Sequence, residues 1–317
     1  MLPKMKYLIT LLFSLAVIWG CENHMDRAEK YVGEGEIKEA IEQYQLALED
    51  KQGKERAEIC ARIGDLYFPK DTAEAIRWYW EAIMGAPDDP HLYIKLGEVF
   101  SQKEEVDSAL WYYSKALELG KDEVVKERIT CQLEELEFRK AKKTNTLEAY
   151  IDFQTKYPDS KYKGQVDDLA FRIVKSKPTL RKVNKFKEVF SDSRHLQEVK
   201  AIGKNLEKKM IAKKVKEIHK SPEAGDLPSP EPISKVSGKM TEIDTENDTP
   251  YILTVYYVGP ETLSVSFKPH KKKNVSLLPG TYRVAAEADN PMVIPFKGTH
   301  TFEKGWSYES RFYIITY

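Results

Sequence analysis

Small and aromatic residues recur with a helical spacing in three copies between residues 28 and 116. Each copy has the order Ala-x3-Tyr-x2-Ala, and the copies lie 35 and then 34 residues apart: Ala40/Tyr44/Ala47, Ala75/Tyr79/Ala82 and Ala109/Tyr113/Ala116. A small residue followed three later by an aromatic precedes each copy: Ala28/Tyr31, Gly64/Tyr67 and Gly97/Phe100. This spacing predicts three amphipathic helical hairpins. We expect the small residues to let paired helices approach and the aromatics to fill the space between neighbouring pairs.

The repeated unit resembles the tetratricopeptide (TPR) repeat, a 34-residue helix–turn–helix motif. Pro87 stands where that family places its closing proline, whereas Gln52 and Lys121 occupy the position in the other copies. The resemblance implies stacked helix pairs over residues 21–120. It also implies that the first helix of each repeat lines a groove for a protein partner.

Five charged residues are the candidate partner-binding residues of that groove. The position after the small residue is acidic in every copy, with Glu29, Asp65 and Glu98. Arg62 and Lys95 lie three residues before two of these acids. One interpretation is an acidic groove that binds a basic or lysine-rich segment. The other is a helix face whose acids are simply solvated.

A second repeat follows within residues 121–220. Six positions recur after 33 residues: Thr146, Leu147, Tyr150, Phe153, Tyr157 and Asp159 correspond to Thr179, Leu180, Val183, Phe186, Phe190 and Asp192. The spacing of the apolar residues predicts amphipathic helices, each ended by an Asp-Ser turn that caps the next. We expect residues 121–145 to form a helix that caps the first array and leads into the second. The segment 157–162, with the sequence YPDSKY, resembles the helix junctions of periplasmic tetratricopeptide lipoproteins.

The pattern changes from helical to alternating after residue 250. Five stretches predict strands: 251–258, 263–267, 274–278, 282–286 and 309–317. The prolines among residues 221–249 predict a solvated linker. The run 278–284 resembles a hairpin of small sandwich modules on bacterial surface proteins, with Pro279-Gly280 as its turn. The expected fold is therefore multidomain, an all-α TPR-like helical solenoid followed by a small antiparallel β-sandwich over residues 250–317.

The beginning of the chain has the pattern of an export signal. Lys4 and Lys6 precede a largely apolar run of 13 residues, 7–19, which is shorter than the roughly 20 residues of a membrane span. Residues 18–21, IWGC, resemble the lipobox of bacterial lipoproteins. The resemblance implies removal of a signal peptide over residues 1–20 and lipid attachment to Cys21. The alternative is an ordinary signal peptide with an incidental cysteine.

The neutral net charge of the chain conceals two blocks of opposite sign. Residues 21–120 contain 12 Lys+Arg against 22 Asp+Glu, a balance of −10, whereas residues 121–220 contain 26 against 16, a balance of +10. The basic stretch 172–216 predicts either contact with anionic lipid or cell-wall polymer or a solvated helix face. Apart from Cys21, the cysteines are Cys60 and Cys131, which we expect to be free and packed.

No motif for catalysis, a metal or a cofactor is found in the sequence. The six histidines are scattered singly, and neither HExxH, GxSxG nor a phosphate loop occurs. The sequence therefore predicts a non-enzymatic envelope scaffold, lipid-anchored at the outer membrane and facing the periplasm. Its expected partners are envelope proteins or peptides, basic ones included, and not nucleic acid. The alternative is a peptidoglycan- or glycan-binding protein whose β domain presents Trp306, Tyr308 and Phe312, although such aromatics are more often core residues.

Overall fold

The structure is a computed structural model that describes residues 23–68 and 70–313. The predicted export signal and Cys21 lie outside the described residues. The chain divides into two compact units, one ending at Lys163 and the other beginning at Gly164. This division falls inside the predicted second repeat region and not at residue 220.

The first unit is helical over its described residues. Its helices are α1 (His24–Glu34), α2 (Ile37–Ala47), α3 (Gly53–Tyr67), α4 (Thr72–Gly85), α5 (Pro90–Gln102), α6 (Val106–Leu119), α7 (Glu123–Thr144) and α8 (Leu147–Lys156). Side-chain caps explain where several of them begin. The Asn23 side chain accepts a hydrogen bond from the backbone of α1, and Asp71 and Asp89 do the same for α4 and α5. Such a cap stabilises a helix by about 1 kcal/mol.

The three predicted hairpins are confirmed as the pairs α1–α2, α3–α4 and α5–α6. Six of the repeated small residues are fully buried (Ala28, Ala40, Ala75, Ala82, Ala109 and Ala116), whereas Ala47 is partly buried. The expected position between neighbouring pairs was wrong for Tyr79 and Tyr113, which lie inside their own hairpins. A Cβ atom at Gly64 would come within 2.7 Å of the Tyr79 ring, and one at Gly97 within 3.0 Å of the Tyr113 ring. Glycine at these positions therefore makes room for the tyrosine of the partner helix.

The end of α7 takes part in the contacts of the second repeat, into which this helix was expected to lead. In the first unit, the rings of Phe138 on α7 and Tyr162 stack with centroids 4.2 Å apart. The Ser160 hydroxyl donates a hydrogen bond to the Glu134 carboxylate, 2.5 Å away.

The same contacts recur in the second unit after a shift of 33 residues. The rings of Phe171 and His195 stack with centroids 4.1 Å apart. The Ser193 hydroxyl donates a hydrogen bond of 2.6 Å to Asp167. The 33-residue period predicted from the sequence is therefore confirmed at the level of contacts, and it begins earlier in the chain than expected.

The second unit, as far as the structure describes it, combines three helices with nine strands. Its helices are α9 (Lys163–Ser176, whose first residue closes the first unit), α10 (Leu180–Val189) and α11 (Leu196–Lys220). Its strands are β1 (Gly225–Asp226), β2 (Pro232–Lys235), β3 (Thr241–Asn247), β4 (Leu253–Val258), β5 (Thr262–Phe267), β6 (Lys271–Leu277), β7 (Gly280–Ala288), β8 (Phe296–Phe302) and β9 (Trp306–Phe312). They form sheet A, in the order β1-β8-β7-β4-β5, and sheet B, in the order β2-β9-β3-β6.

The expected antiparallel arrangement was wrong in part. Strand β1 pairs with β8 in parallel, and β3 pairs with β9 in parallel, so both sheets are mixed. The expected hairpin around Pro279-Gly280 is not formed either. Strand β6 pairs with β3 in sheet B, whereas β7 pairs with β4 and β8 in sheet A. The turn therefore carries the chain from one sheet to the other.

The expected linker, residues 221–249, is part of the β region. It contains β1, β2 and β3, and β3 is an inner strand of sheet B. Its Ile243 shares one hydrophobic cluster with Val255 and Tyr282 of sheet A. The two sheets therefore have a common core, to which the supposed linker contributes.

Helix α11 packs against the outward face of sheet A. Its buried Val215 and Ile218 contact Ala285 of β7, with Tyr256 of β4 beside them. The ammonium of Lys297 donates a hydrogen bond of 2.8 Å to the carbonyl oxygen of Ser221, at the end of the helix. The helix and the sheets are therefore parts of one packed unit. None of the helices in the described part of the chain is both long and apolar enough to cross a membrane.

Candidate functional site

The candidate partner-binding residues lie on α1, α3 and α5, the first helices of the three hairpins. We call this surface the repeat face. The Arg62 guanidinium on α3 pairs with the Glu29 carboxylate on α1 and, at 2.9 Å, with Glu58 one turn before it. The Lys95 ammonium on α5 lies 2.9 Å from the Asp65 carboxylate on α3. Two of the three predicted acids are therefore neutralised by a base of the next repeat.

Asp65 has a second partner inside its own hairpin. The hydroxyl of Tyr79, on α4, donates a hydrogen bond of 2.6 Å to the Asp65 carboxylate. Burial, together with this hydrogen bond to an anion, raises the pKa of Tyr79 far above its usual range. The neutral phenol thus remains a donor at any physiological pH, and it fixes the Asp65 carboxylate between the two helices.

Glu98 differs from the other two acids. It forms neither an ion pair nor a hydrogen bond with the other residues that the structure describes. Its charge nevertheless acts on the neighbouring tyrosine: burial first, and then the Glu98 carboxylate, raises the pKa of Tyr113. Half-buried and unpaired, Glu98 is the candidate acid most available to a cation from outside.

A cavity of about 610 Å³ opens beside these residues, between α3, α5 and the turn that joins α4 to α5. Its wall includes apolar side chains such as Ala61 and Leu92, and it includes Lys54 and Lys95. Its acidic members are Glu58, Asp88 and Asp89. Asp89 is occupied as the cap of α5, whereas Asp88 is exposed. A groove of this size with alternating charge suits an extended polar segment better than a small apolar ligand.

An exposed aromatic patch on the second helices was not expected from the sequence. Trp111 is 56% exposed, Met84 is 81% exposed, and Trp80 lies one turn before Met84 on α4. Tyr112 contacts both tryptophans, with its ring centroid 6.0 Å from that of Trp80 and 4.9 Å from that of Trp111. The sequence signal was the pair of runs WYW (78–80) and WYY (111–113), which contain more aromatics than the repeat pattern requires.

The aromatic surface considered for the β domain is mostly core. Tyr308 and Phe312 are buried in the cluster shared by the two sheets, and Trp306 packs against that cluster. Three consecutive lysines, Lys271, Lys272 and Lys273, lie in β6. The glycan-binding alternative therefore loses the aromatic surface on which it depended.

The two described cysteines are free, as predicted. Burial raises the pKa of the Cys60 thiol and keeps it protonated. Cys131 is exposed, so the expectation that both thiols are packed was wrong for this residue. Within residues 23–68 and 70–313, no group of three or more His, Cys, Asp and Glu side chains is arranged to hold a metal ion.

No protein-family model matches the chain, and no curated protein matches it. A crystal structure of MamA is similar over 61% of this chain and 98% of that one, with 17% identity and a TM-score of 0.29. The C-terminal part of a TPR repeat-containing protein from Cytophaga hutchinsonii covers 56% of this chain and 71% of its own, with 16% identity and a TM-score of 0.35. The TPR domain of P58(IPK) covers 62% of this chain and 58% of its own, with 16% identity and a TM-score of 0.34. At these scores we infer nothing about function from the similarity, and the repeat assignment depends on the contacts described above.

Proposed function

We propose that the protein is a non-catalytic scaffold of the bacterial envelope whose repeat face binds a segment of another protein. The observation that supports this most is the cavity of about 610 Å³ between α3 and α5. It adjoins a helix face on which Glu98 has no partner among the described residues. A stack of helical hairpins presents such an extended surface because each hairpin contacts only its neighbours.

The segment bound there is basic in this proposal. Its cations pair with Glu98 and Asp88, and its stem contacts Ala61 and Leu92. Since Arg62 and Lys95 already neutralise Glu29 and Asp65, the partner meets a face of alternating charge and not a continuous acidic surface. Opposite charges arranged in this way contribute to specificity and to the rate of association more than to affinity.

Attachment through Cys21 is the second element of the proposal. Lipid chains on this residue hold the protein at the outer membrane, facing the periplasm, and one acyl chain alone would give only marginal binding. Only Glu22 and Asn23 separate Cys21 from the first residue of α1. The repeat face is therefore presented close to the bilayer, where envelope proteins are the accessible partners.

The β region supplies a rigid second surface in this proposal. We interpret its two sheets, with their common core, as the layers of a small mixed β-sandwich. Helix α11, packed on sheet A, ties this sandwich to the preceding helices of the second unit. No observation favours glycan binding by this region, so we do not adopt that alternative.

Crosslinking and affinity purification from detergent-solubilised membranes test the proposal. The wild type is compared with Glu98→Lys, which reverses the unpaired charge, and with Glu118→Lys, which makes the same change on α6 outside the repeat face. We expect a crosslinked envelope protein to be lost with the first variant and retained with the second. Equal recovery of the same proteins with both variants contradicts the role of the repeat face.

A further inference from the structure

A cavity in the second unit lies where α11 crosses the edge of sheet A. Its volume is about 720 Å³. One wall is α11, from Lys204 to Glu217, and the opposite wall is formed by strands β4, β5 and β7. Leu180, at the start of α10, closes one end. We call this cavity the α11–β5 groove.

The groove reaches the free edge of sheet A. Strand β5 is the last strand of that sheet, and it pairs on its inner side with β4. Three successive residues of β5 line the groove: Thr262, Leu263 and Ser264. Successive side chains in a strand point to opposite faces, so a cavity touches three in a row only at the strand's edge. The backbone groups of this edge are thus available to a further strand.

The α11 side of the groove contributes four lysines against two acids, Glu207 and Glu217, and the strand side combines Tyr256 and Leu263 with Thr262, Ser264 and Glu287. Lys204 and Lys208 line it from α11, both are exposed, and neither forms an ion pair with another described residue. Lys214 is neutralised by Glu287, 2.7 Å away. The surrounding helices add to the positive electrostatic field around the groove, because residues 164–220 contain 16 Lys+Arg against 7 Asp+Glu, a balance of +9. Leu263 reaches the groove from the core side of β5.

We propose that the α11–β5 groove binds an extended acidic segment of another protein, which adds to sheet A as a strand beside β5. This is a second site, separate from the repeat face, and it deepens the scaffold function proposed above. Acidic side chains at alternate positions point towards Lys204 and Lys208. The intervening apolar side chains lie beside Leu263. A polypeptide strand can form a row of backbone hydrogen bonds with β5, whereas a lipid head group or a glycan cannot.

Binding of a defined peptide to the full-length protein in detergent tests the site. The probe is a fluorescein-labelled ten-residue peptide that alternates Glu with Val, followed by fluorescence anisotropy. We expect Lys204→Glu with Lys208→Glu to weaken binding at least about tenfold, because two attractive charges become repulsive. The matched control, Lys209→Glu with Lys216→Glu, changes the same charge on exposed residues of α11 that do not line the groove. We expect it to change the affinity by less than about twofold.

The strand geometry is tested with two N-methylated versions of the same peptide, one methylated at the Glu residues and the other at the Val residues. Alternate amides of an added strand face β5, so one version should lose binding and the other should keep it. Equal binding of the two versions, equal weakening by the two double variants, or no binding at about 1 mM peptide overturns the proposal. Vesicles of phosphatidylglycerol that bind with the same dependence on Lys204 and Lys208 as the peptide also overturn it.

The outcome is distinguishable from that of the repeat-face proposal. The Glu98→Lys variant should bind the acidic peptide as the wild type does, because Glu98 belongs to the other unit and does not line this groove. If the wild type does not bind the peptide but its crosslinked partner is lost with Glu98→Lys, only the α11–β5 groove is refuted. If the peptide binds as expected but the Glu98→Lys variant still recovers the partner, only the repeat face is refuted.

Discussion

The ammonium of Lys95 on α5 lies 2.9 Å from the carboxylate of Asp65 on α3. The pair joins two successive repeats, and Arg62 with Glu29 joins the preceding two in the same way. Exposed pairs of this kind contribute at most about 1 kcal/mol each to stability. Their larger effect is on the charge of the repeat face, because each base removes one acid from those available to a partner.

Lys95→Gln should therefore strengthen binding of a basic segment while changing stability little. We expect the affinity for a lysine-rich test peptide to rise about two- to tenfold, since Asp65 loses its neutralising partner. The free energy of unfolding should fall by less than about 1 kcal/mol. Anisotropy and urea denaturation measure the two quantities. The control is Lys115→Gln, which removes a partner of Glu118 on α6, outside the repeat face. Equal affinities of the two variants would show that Asp65 does not take part.

Gly64→Ala should destabilise the first unit. The added methyl would lie 2.7 Å from the ring of Tyr79, which is fully buried and held by the hydrogen bond from its hydroxyl to Asp65. Overpacking of this kind costs about 1–3 kcal/mol. Gly33→Ala is the matched control, because a methyl group added there, in helix α1, would have no neighbouring atom within 4 Å. It should stabilise by up to about 1 kcal/mol through helix propensity. Urea denaturation followed by circular dichroism measures both, and a Gly64→Ala protein as stable as wild type would contradict the close packing.

His300 should make the second unit less stable in mild acid. The ring is buried, and one nitrogen lies 3.1 Å from the carbonyl oxygen of Leu227. Burial lowers the pKa of His300 below its ordinary value of about 6.5. The unfolded chain therefore takes up a proton at a higher pH than the folded one. The stabilisation is complete above about pH 6.5 and is lost as the pH falls from there towards the folded-state pKa.

The comparison with His300→Gln isolates this effect. Glutamine keeps a hydrogen-bond donor without a titrating group, so the difference in unfolding free energy between wild type and variant should decrease from pH 8 to pH 5. Urea denaturation at several pH values measures it. A difference that stays constant across this range would show that His300 titrates normally in the folded protein.

A fragment of residues 250–317 should not fold. It lacks β3, an inner strand of sheet B, and α11, which covers sheet A. A fragment of residues 164–317 keeps both and should fold, because it corresponds to the second compact unit. Two-dimensional NMR spectra distinguish the cases by the dispersion of their amide signals. Well-dispersed signals from the shorter fragment would contradict the role assigned to β3 and α11.

The helical repeats were predictable because their signal is local and repeated. The spacing from Ala40 to Tyr44 recurs in each copy and gives the hairpins directly. Strand β3 was not predictable in this way, since its buried face consists mainly of polar residues. Its sequence TEIDTEN places Thr241, Thr245 and Asn247 beside Ile243 in the interior. The Asn247 amide donates hydrogen bonds to the carbonyl oxygens of Tyr251, Phe267 and Lys268, which offsets the cost of its burial.

Strand β8 was missed for a related reason. It carries a glycine, Gly298, and a buried histidine, His300, at positions where a strand is usually β-branched or aromatic. At the repeat face, the sequence identified the charged residues but not their pairing. Which acid pairs with which base depends on how successive hairpins stack. The spacing of residues within one repeat does not determine that stacking.

Lipid attachment at Cys21 underlies the proposed role at the envelope, and mass spectrometry of the protein purified from membranes tests it most directly. The proposal predicts an N-terminal peptide that begins at Cys21 and carries a thioether-linked diacylglyceryl group together with an acylated amino group. A peptide that retains Met1, or a processed terminus with a free Cys21 thiol, would contradict it.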